Sequence, residues 1–152
     1  MYRKILVPTD GSSGSKAAVL AAIQLAQHLG SAMLALHVRV PYTPPAFAEI
    51  PAIPPMSDED FEDSLKNASE HMLAAIAVDA QAKGVSCSSL SVSSEHVWET
   101  ILHVSKEEDC DLIVMSTHGR RGLAALIIGS EANEVVTHSH VPVLLYRQLG
   151  ED

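Results

Sequence analysis

Cysteine is nearly absent from the chain. Cys87 and Cys110 are all it has, too few for a disulfide scaffold, and they are expected to be reduced, partly buried thiols. Aromatic side chains are scarce as well: two Phe, three Tyr and one Trp make up 4% of the residues, so the core has to be built from Ala, Val, Leu and Ile. Basic residues are outnumbered. Ten Lys and Arg against nineteen Asp and Glu leave a formal charge of −9, which argues against non-specific nucleic-acid binding, a process that depends on basic surface. No apolar run approaches the roughly 20 residues of a membrane span. The opening MYRKILVPTDGSS has neither a long apolar stretch nor a small-residue cleavage pattern. The expectation is a cytoplasmic protein with no nucleic-acid and no membrane partner.

What the chain does have is apolar mass, 47% of its residues against 19% charged, enough for one globular domain over residues 1–152. Five short apolar runs alternate with helical patterns. KILVPTD (4–10) starts as a strand stopped by Pro8, and Gly11 with the serines at 12, 13 and 15 offers turn and cap chemistry for a helix striped by Val19, Ile23 and Ala26 and stopped by Gly30. AMLALHVRV (32–40) reads as a buried strand. Six of the eight prolines then fall between Pro41 and Pro55, which predicts a long surface loop. Ser57 or Asp58 caps the next helix, whose apolar face is read as Phe61, Leu65, Ala68, Met72 and Ile76, ending at Gly84. A polar strand over 85–92, a helix over about 95–108 with Val97, Ile101 and Val104 inward, a doubly buried strand DLIVMS (111–116), a short helix EANEVVTHS and a last strand VPVLLYR (141–147) complete the chain. Strict alternation predicts an α/β fold: a five-stranded parallel, doubly wound sheet with helices on both faces, Rossmann-like or flavodoxin-like.

In such sheets ligands bind beyond the carboxyl ends of the strands. Two segments with suitable chemistry fall there, PTDG (8–11) after the first strand and STHGRRGLAALIIGS (116–130) after the fourth. The second is neither a P-loop nor a G-x-G-x-x-G motif. It does place Gly119 beside a strand end and Gly129-Ser130 at a helix start, where uncovered amides and the helix dipole favour an anion.

These residues carry a resemblance that runs nearly the whole length of the chain. KILVPTDGS, LALHV, DLIVMSTHGRRGLAALIIGS and SHVPVLLYR are together similar to the universal stress protein family. The third segment looks like that family's nucleotide signature, Gly, two residues, Gly, nine residues, then Gly-Ser or Gly-Thr, with Ser116 standing where the first glycine would be. The resemblance implies a small regulatory or stress-response protein that binds ATP or another adenine nucleotide, with or without Mg, and acts by binding rather than turnover. It implies that Asp10 accepts the ribose hydroxyls, that Pro8, Thr9 and the Val38 backbone surround the adenine, and that Met115 presses on base or sugar. Ser116, Thr117, His118 and Gly119 would run beneath sugar and phosphates. Gly119, Gly129 and Ser130 would hold the phosphates, with Arg120 or Arg121 as extra cations. Glu131, next in line, would repel a phosphate unless its side chain turns away, and it is expected to turn to solvent. The family also implies a homodimer through Val141–Tyr146, an apolar edge strand in need of cover, and the proline-rich loop becomes a candidate lid or docking surface for an unknown protein partner.

Other readings of the same residues are weaker. Ser12, His118 and Asp10 contain the residue types of a hydrolase triad, but no G-x-S-x-G elbow accompanies them. His138 and His140 near Cys110 or His103 lack a second ligand pair, so no metal site and no catalytic set are assigned. Asp10 in TDGS also fits a turn or cap. A slow ATP hydrolase, and an interaction module of the same fold that binds no nucleotide, remain the alternatives.

Overall fold

The computed structural model describes residues 1–41, 57–118 and 128–147; residues 42–56 of the proline-rich loop, together with Gly119, Arg120 and Arg121, lie outside the described residues. Nine elements alternate in the expected order: β1 (Lys4–Pro8), α1 (Ser13–Leu29), β2 (Ala32–Arg39), α2 (Asp58–Ala82), β3 (Cys87–Ser93), α3 (Val97–Glu107), β4 (Leu112–Ser116), α4 (Ser130–His138) and β5 (Val143–Tyr146). The strands form one parallel sheet in the order β3-β2-β1-β4-β5. This is the α/β, Rossmann-like arrangement read from the alternation, with the order reversing between β1 and β4.

The sheet is covered on both faces, and the strand period of two divides its side chains between them. Ile5, Val7, Met33, Ala35, Leu112 and Val114 face α1 and α2, meeting Val19, Ile23, Leu73 and Ile76. Leu6, Leu34, Leu36, Ile113 and Met115 face α3 and α4, meeting Ile101, Val104, Ala132 and Val135. Both faces of β1 and β4 are therefore dry, which explains their unbroken apolar runs.

Local chemistry sets the helix ends. Ser12 caps α1 by accepting from the Ser15 amide, and α1 stops at Gly30, whose φ of 67° is left-handed. Ser57 caps α2 by accepting from the Asp60 amide. The buried column of α2 differs from the expected one: it runs Ser69, Leu73, Ile76 and Ala80, while Leu65, Ala68 and Met72 border a cleft. An apolar stripe shows that a helix face is used, but does not distinguish a packed wall from a binding wall.

At the amino-terminal edge of the sheet, Asp111 ties two strands together. Its carboxylate accepts from the Arg3 amide (3.0 and 2.9 Å) and the Lys4 amide (3.1 Å), and its own amide donates to the Lys4 carbonyl. Burial pushes the Asp111 carboxyl up, but these amide bonds and the Arg3 charge outweigh it and hold the group below the usual carboxylate range. The two thiols behave as small apolar groups: burial raises Cys87 and pushes Cys110 up to about 11, so both stay protonated near neutrality.

A carboxyl depressed by folding adds stability above its unfolded pKa of about 3.9, and that stability drains away as pH falls through the lower folded value. Asp111→Asn is expected to unfold in less urea than the parent near neutrality. Between about pH 6 and pH 3 it is expected to lose less stability than the parent. Paired urea titrations at the two pH values check both.

Candidate functional site

The site begins where the sheet splits. β1 pairs with β2 along its whole length, to Pro8↔Leu36, and the Thr9 amide continues the ladder by donating to the Leu36 carbonyl at 2.8 Å. β4 stays with β5 as far as Ser116↔Tyr146, and the Thr117 amide then donates to the Tyr146 carbonyl at 3.0 Å. Between β1 and β4 only Ile5↔Leu112 and Leu6↔Ile113 pair. The central strands therefore part at their carboxyl ends, opening a cleft of about 720 Å³, within the size range of small-molecule sites.

Pro8, Thr9 and Asp10 form one lip of the cleft, and Met115, Ser116, Thr117 and His118 form the opposite one. Val38 comes in from β2, which runs on to Arg39 beyond its last pair with β1. Gly129, Ser130 and Glu131 close the far side at the start of α4. The structure thus brings together eleven of the expected site residues, while Gly119 and Arg120 lie outside the described residues.

Each lip is held by a short polar turn. The Asp10 carboxylate accepts from the Ser12 amide at 3.0 Å, so it forms the turn that its sequence context suggested while also bordering the cleft. Buried Thr9 places its hydroxyl 2.9 Å from that of Ser15. Ser116, in place of the signature's first glycine, donates its hydroxyl to the His118 carbonyl at 2.7 Å, which turns it into its own backbone. His118 sets Nδ1 3.0 Å from the Thr117 hydroxyl, whereas its Nε2 is buried without a hydrogen-bond partner among the described residues. A buried ring nitrogen left unpaired at the wall of a cleft suits a polar ligand atom.

Glycine allows a close approach where the strand end meets two helices. The Gly129 amide donates to the Thr117 carbonyl at 2.8 Å, and a Cβ on Gly129 would stand 3.2 Å from that same oxygen. A Cβ on Gly14 would stand 3.3 Å from the His118 carbonyl. The first amides of an α-helix have no intrahelical acceptor, and the N-cap residue of α4, Gly129, has no side chain to cap it. Its amino terminus therefore reaches the cleft ready for an anion.

Glu131 turns away from that terminus to an exposed position, as expected, and there one carboxylate oxygen is engaged. Its carboxylate accepts from the Trp98 amide at 2.9 Å. Trp98 is the second residue of α3, whose N-cap His96 makes no side-chain bond of its own, so Glu131 supplies from a neighbouring helix the cap that α3 lacks. On the other flank, His37 Nδ1 lies 2.7 Å from the Ser69 hydroxyl, which lies 2.7 Å from that of Ser91. Arg39 donates to Ser91 at 2.9 Å and sits 3.6 Å from the Glu62 carboxylate. This network, absent from the sequence reading, joins β2, β3 and α2 beside the cleft. The one available signal was that His37 and Arg39 alternate with Leu36 and Val38, which puts both polar groups on the α2 face.

The hydrolase and metal readings find no geometric support. Ser12 is occupied as the α1 cap, and His138 stacks on Trp98 with ring centroids 4.9 Å apart. No cluster of three metal-ligating side chains occurs among the described residues. No helix among them is long and apolar enough to cross a membrane.

The family model described as the universal stress protein family matches residues 1–147. The chain belongs to the universal stress protein family. Among its relatives, Universal stress protein MJ0531 of Methanocaldococcus jannaschii is 32% identical over 148 residues, spanning 97% of this chain and 84% of that one. The solved structure of protein MJ0577 superposes with a TM-score of 0.77 at 26% identity, covering 99% of each chain. A universal stress protein from Arabidopsis thaliana, solved with AMP bound, superposes at 0.69 and 21% identity, covering 97% of this chain and 93% of that one. Another, solved in complex with cAMP, gives 0.69 and 21%, covering 95% and 97%.

Adding a methyl at the crossing of β4 and α4 tests the packing at the heart of this universal stress protein's cleft. Gly129→Ala is expected to cost about 1–3 kcal/mol, the range for a crowded interior contact that must shift. Chemical denaturation beside the parent protein measures it.

Proposed function

We propose that this chain binds an adenine nucleotide in the cleft between β1 and β4, and that it acts through binding rather than turnover. The observation that carries the reading is the convergence, at one strand parting, of a helix amino terminus whose N-cap glycine offers no side chain, a close glycine crossing and a buried His118 Nε2 without a hydrogen-bond partner among the described residues. These suit an anionic ligand with a polar body. The nucleotides bound by two proteins of this fold, AMP and cAMP, support the same reading.

In this reading Asp10 takes the ribose hydroxyls. Pro8, Thr9, Val38 and Met115 enclose the base, and the amides of Ser116–Gly119 and Gly129–Ser130 take the phosphates, with Arg120 or Arg121 adding charge. ATP, with or without Mg, is the larger candidate ligand. A binding protein transmits occupancy by favouring one conformation or partner over another, which is the regulatory role assigned here. A second copy covers β5, a four-residue edge strand whose Leu144 is 40% exposed.

Two measurements test this. Purified protein, denatured and analysed by mass spectrometry, is expected to release AMP, ADP or ATP. In calorimetry, Asp10→Ala is expected to weaken AMP binding at least about tenfold, the loss of two charge-assisted hydrogen bonds. No released nucleotide, together with no heat on titration, would sink the reading. Leu144→Lys is expected to shift the sedimentation of a dimer to that of a monomer.

A further inference from the structure

Two helices, α3 and α4, bring their amino termini to the same wall of the cleft, and they are not equivalent. The α4 terminus has no side-chain cap from its own N-cap residue, Gly129. The α3 terminus is already occupied by an anion from within the chain, the Glu131 carboxylate on the Trp98 amide. Glu131 is itself the acidic residue of the first turn of α4, so one carboxylate has been moved from the helix end that would receive a ligand to the one beside it.

The charge balance around the cleft gives this placement a consequence. Among the described residues, the cleft is bordered by the carboxylates of Asp10, Glu95 and Glu131. The only arginine or lysine among its described lining residues is Arg39, and Arg39 lies 3.6 Å from the Glu62 carboxylate. Glu131 holds its charge fixed at the wall where phosphates would end. Each additional phosphate brings more negative charge toward it, and because Glu131 is exposed this repulsion is screened by salt.

We propose that Glu131 terminates the phosphate track: by occupying the α3 amino terminus it denies that terminus to a ligand, and it makes the cleft select short phosphate tails over long ones. Glu131 is on this account a specificity-determining residue. The inference rests on the nucleotide reading above and deepens it, since a carboxylate so placed penalises ATP more than AMP. Without it, the α3 amides would form a second anion seat continuous with the first.

The test compares AMP and ATP binding to the parent, Glu131→Gln and Glu131→Ala by calorimetry, with chelator and then with Mg. Hydrogen exchange at the Trp98 amide is followed in the same samples. The Gln variant keeps an acceptor of the same shape and loses the charge. It is expected to bind ATP at least about fivefold more tightly than the parent while AMP changes less than about twofold, with the gap narrowing in Mg and at high salt. Glu131→Ala is expected to exchange the Trp98 amide faster, and Glu131→Gln to keep most of its protection. Equal changes for the two nucleotides, or an unaltered Trp98 amide in the Ala variant, would overturn this proposal alone. A parent protein that binds neither nucleotide would overturn the functional reading and this inference together.

Discussion

The separation of β1 from β4 is the constraint on which the rest of the structure depends. A parallel sheet gains by keeping its ladders closed, because unpaired backbone groups away from water are costly. Here the two central strands pair at only two positions, yet their outer ladders run on past Pro8 and Ser116. The backbone groups left over at the split are taken up locally: Ser12 caps α1, Asp10 turns back onto the Ser12 amide, and Gly129 donates to Thr117. At the opposite end of the same strands, the Asp111 carboxylate fastens the start of β1 to the start of β4. The sheet is thus closed at one end and open at the other. The open end is where a ligand can reach backbone amides without unfolding anything.

Several polar side chains around the opening are satisfied by one another, whereas His118 Nε2 has no partner among the described residues. Thr9 with Ser15, Ser116 with His118, and His37 with Ser69 and Ser91 each lock a side chain that could otherwise compete for a ligand. A prearranged site loses less conformational entropy on binding. Ser116 shows how a departure from a glycine signature is absorbed, because its hydroxyl is spent within two residues of itself.

Much of this was legible in the sequence, and the parts that were not share a cause. The strands of the sheet centre announced themselves because burial on both faces removes polar residues from 5–8 and 112–115. Gly30, Ser12 and Ser57 marked helix ends because caps act within one turn of chain. The site lips were legible from topology, since a strand's carboxyl end can be read from its last apolar residue. What escaped were relations between elements distant in sequence. The apolar face of α2 reads as a single stripe, and nothing in the stripe tells that Leu65 and Met72 border the cleft while Leu73 and Ala80 are buried. Glu131 is exposed as expected, but nothing in its own neighbourhood reports that it also caps α3, thirty-three residues earlier. The pairing of His37 with Ser69 likewise joins two segments that only the sheet order makes adjacent.

The chain's single tryptophan sits at this junction. Trp98 has its main chain held by Glu131 and its indole stacked on His138 of the same helix that begins the anion seat. Fluorescence from a solitary indole originates from one place, so any shift of α3 relative to α4 changes its colour or brightness without an added dye. The protein carries a built-in optical gauge beside Val97, a residue that lines its cleft.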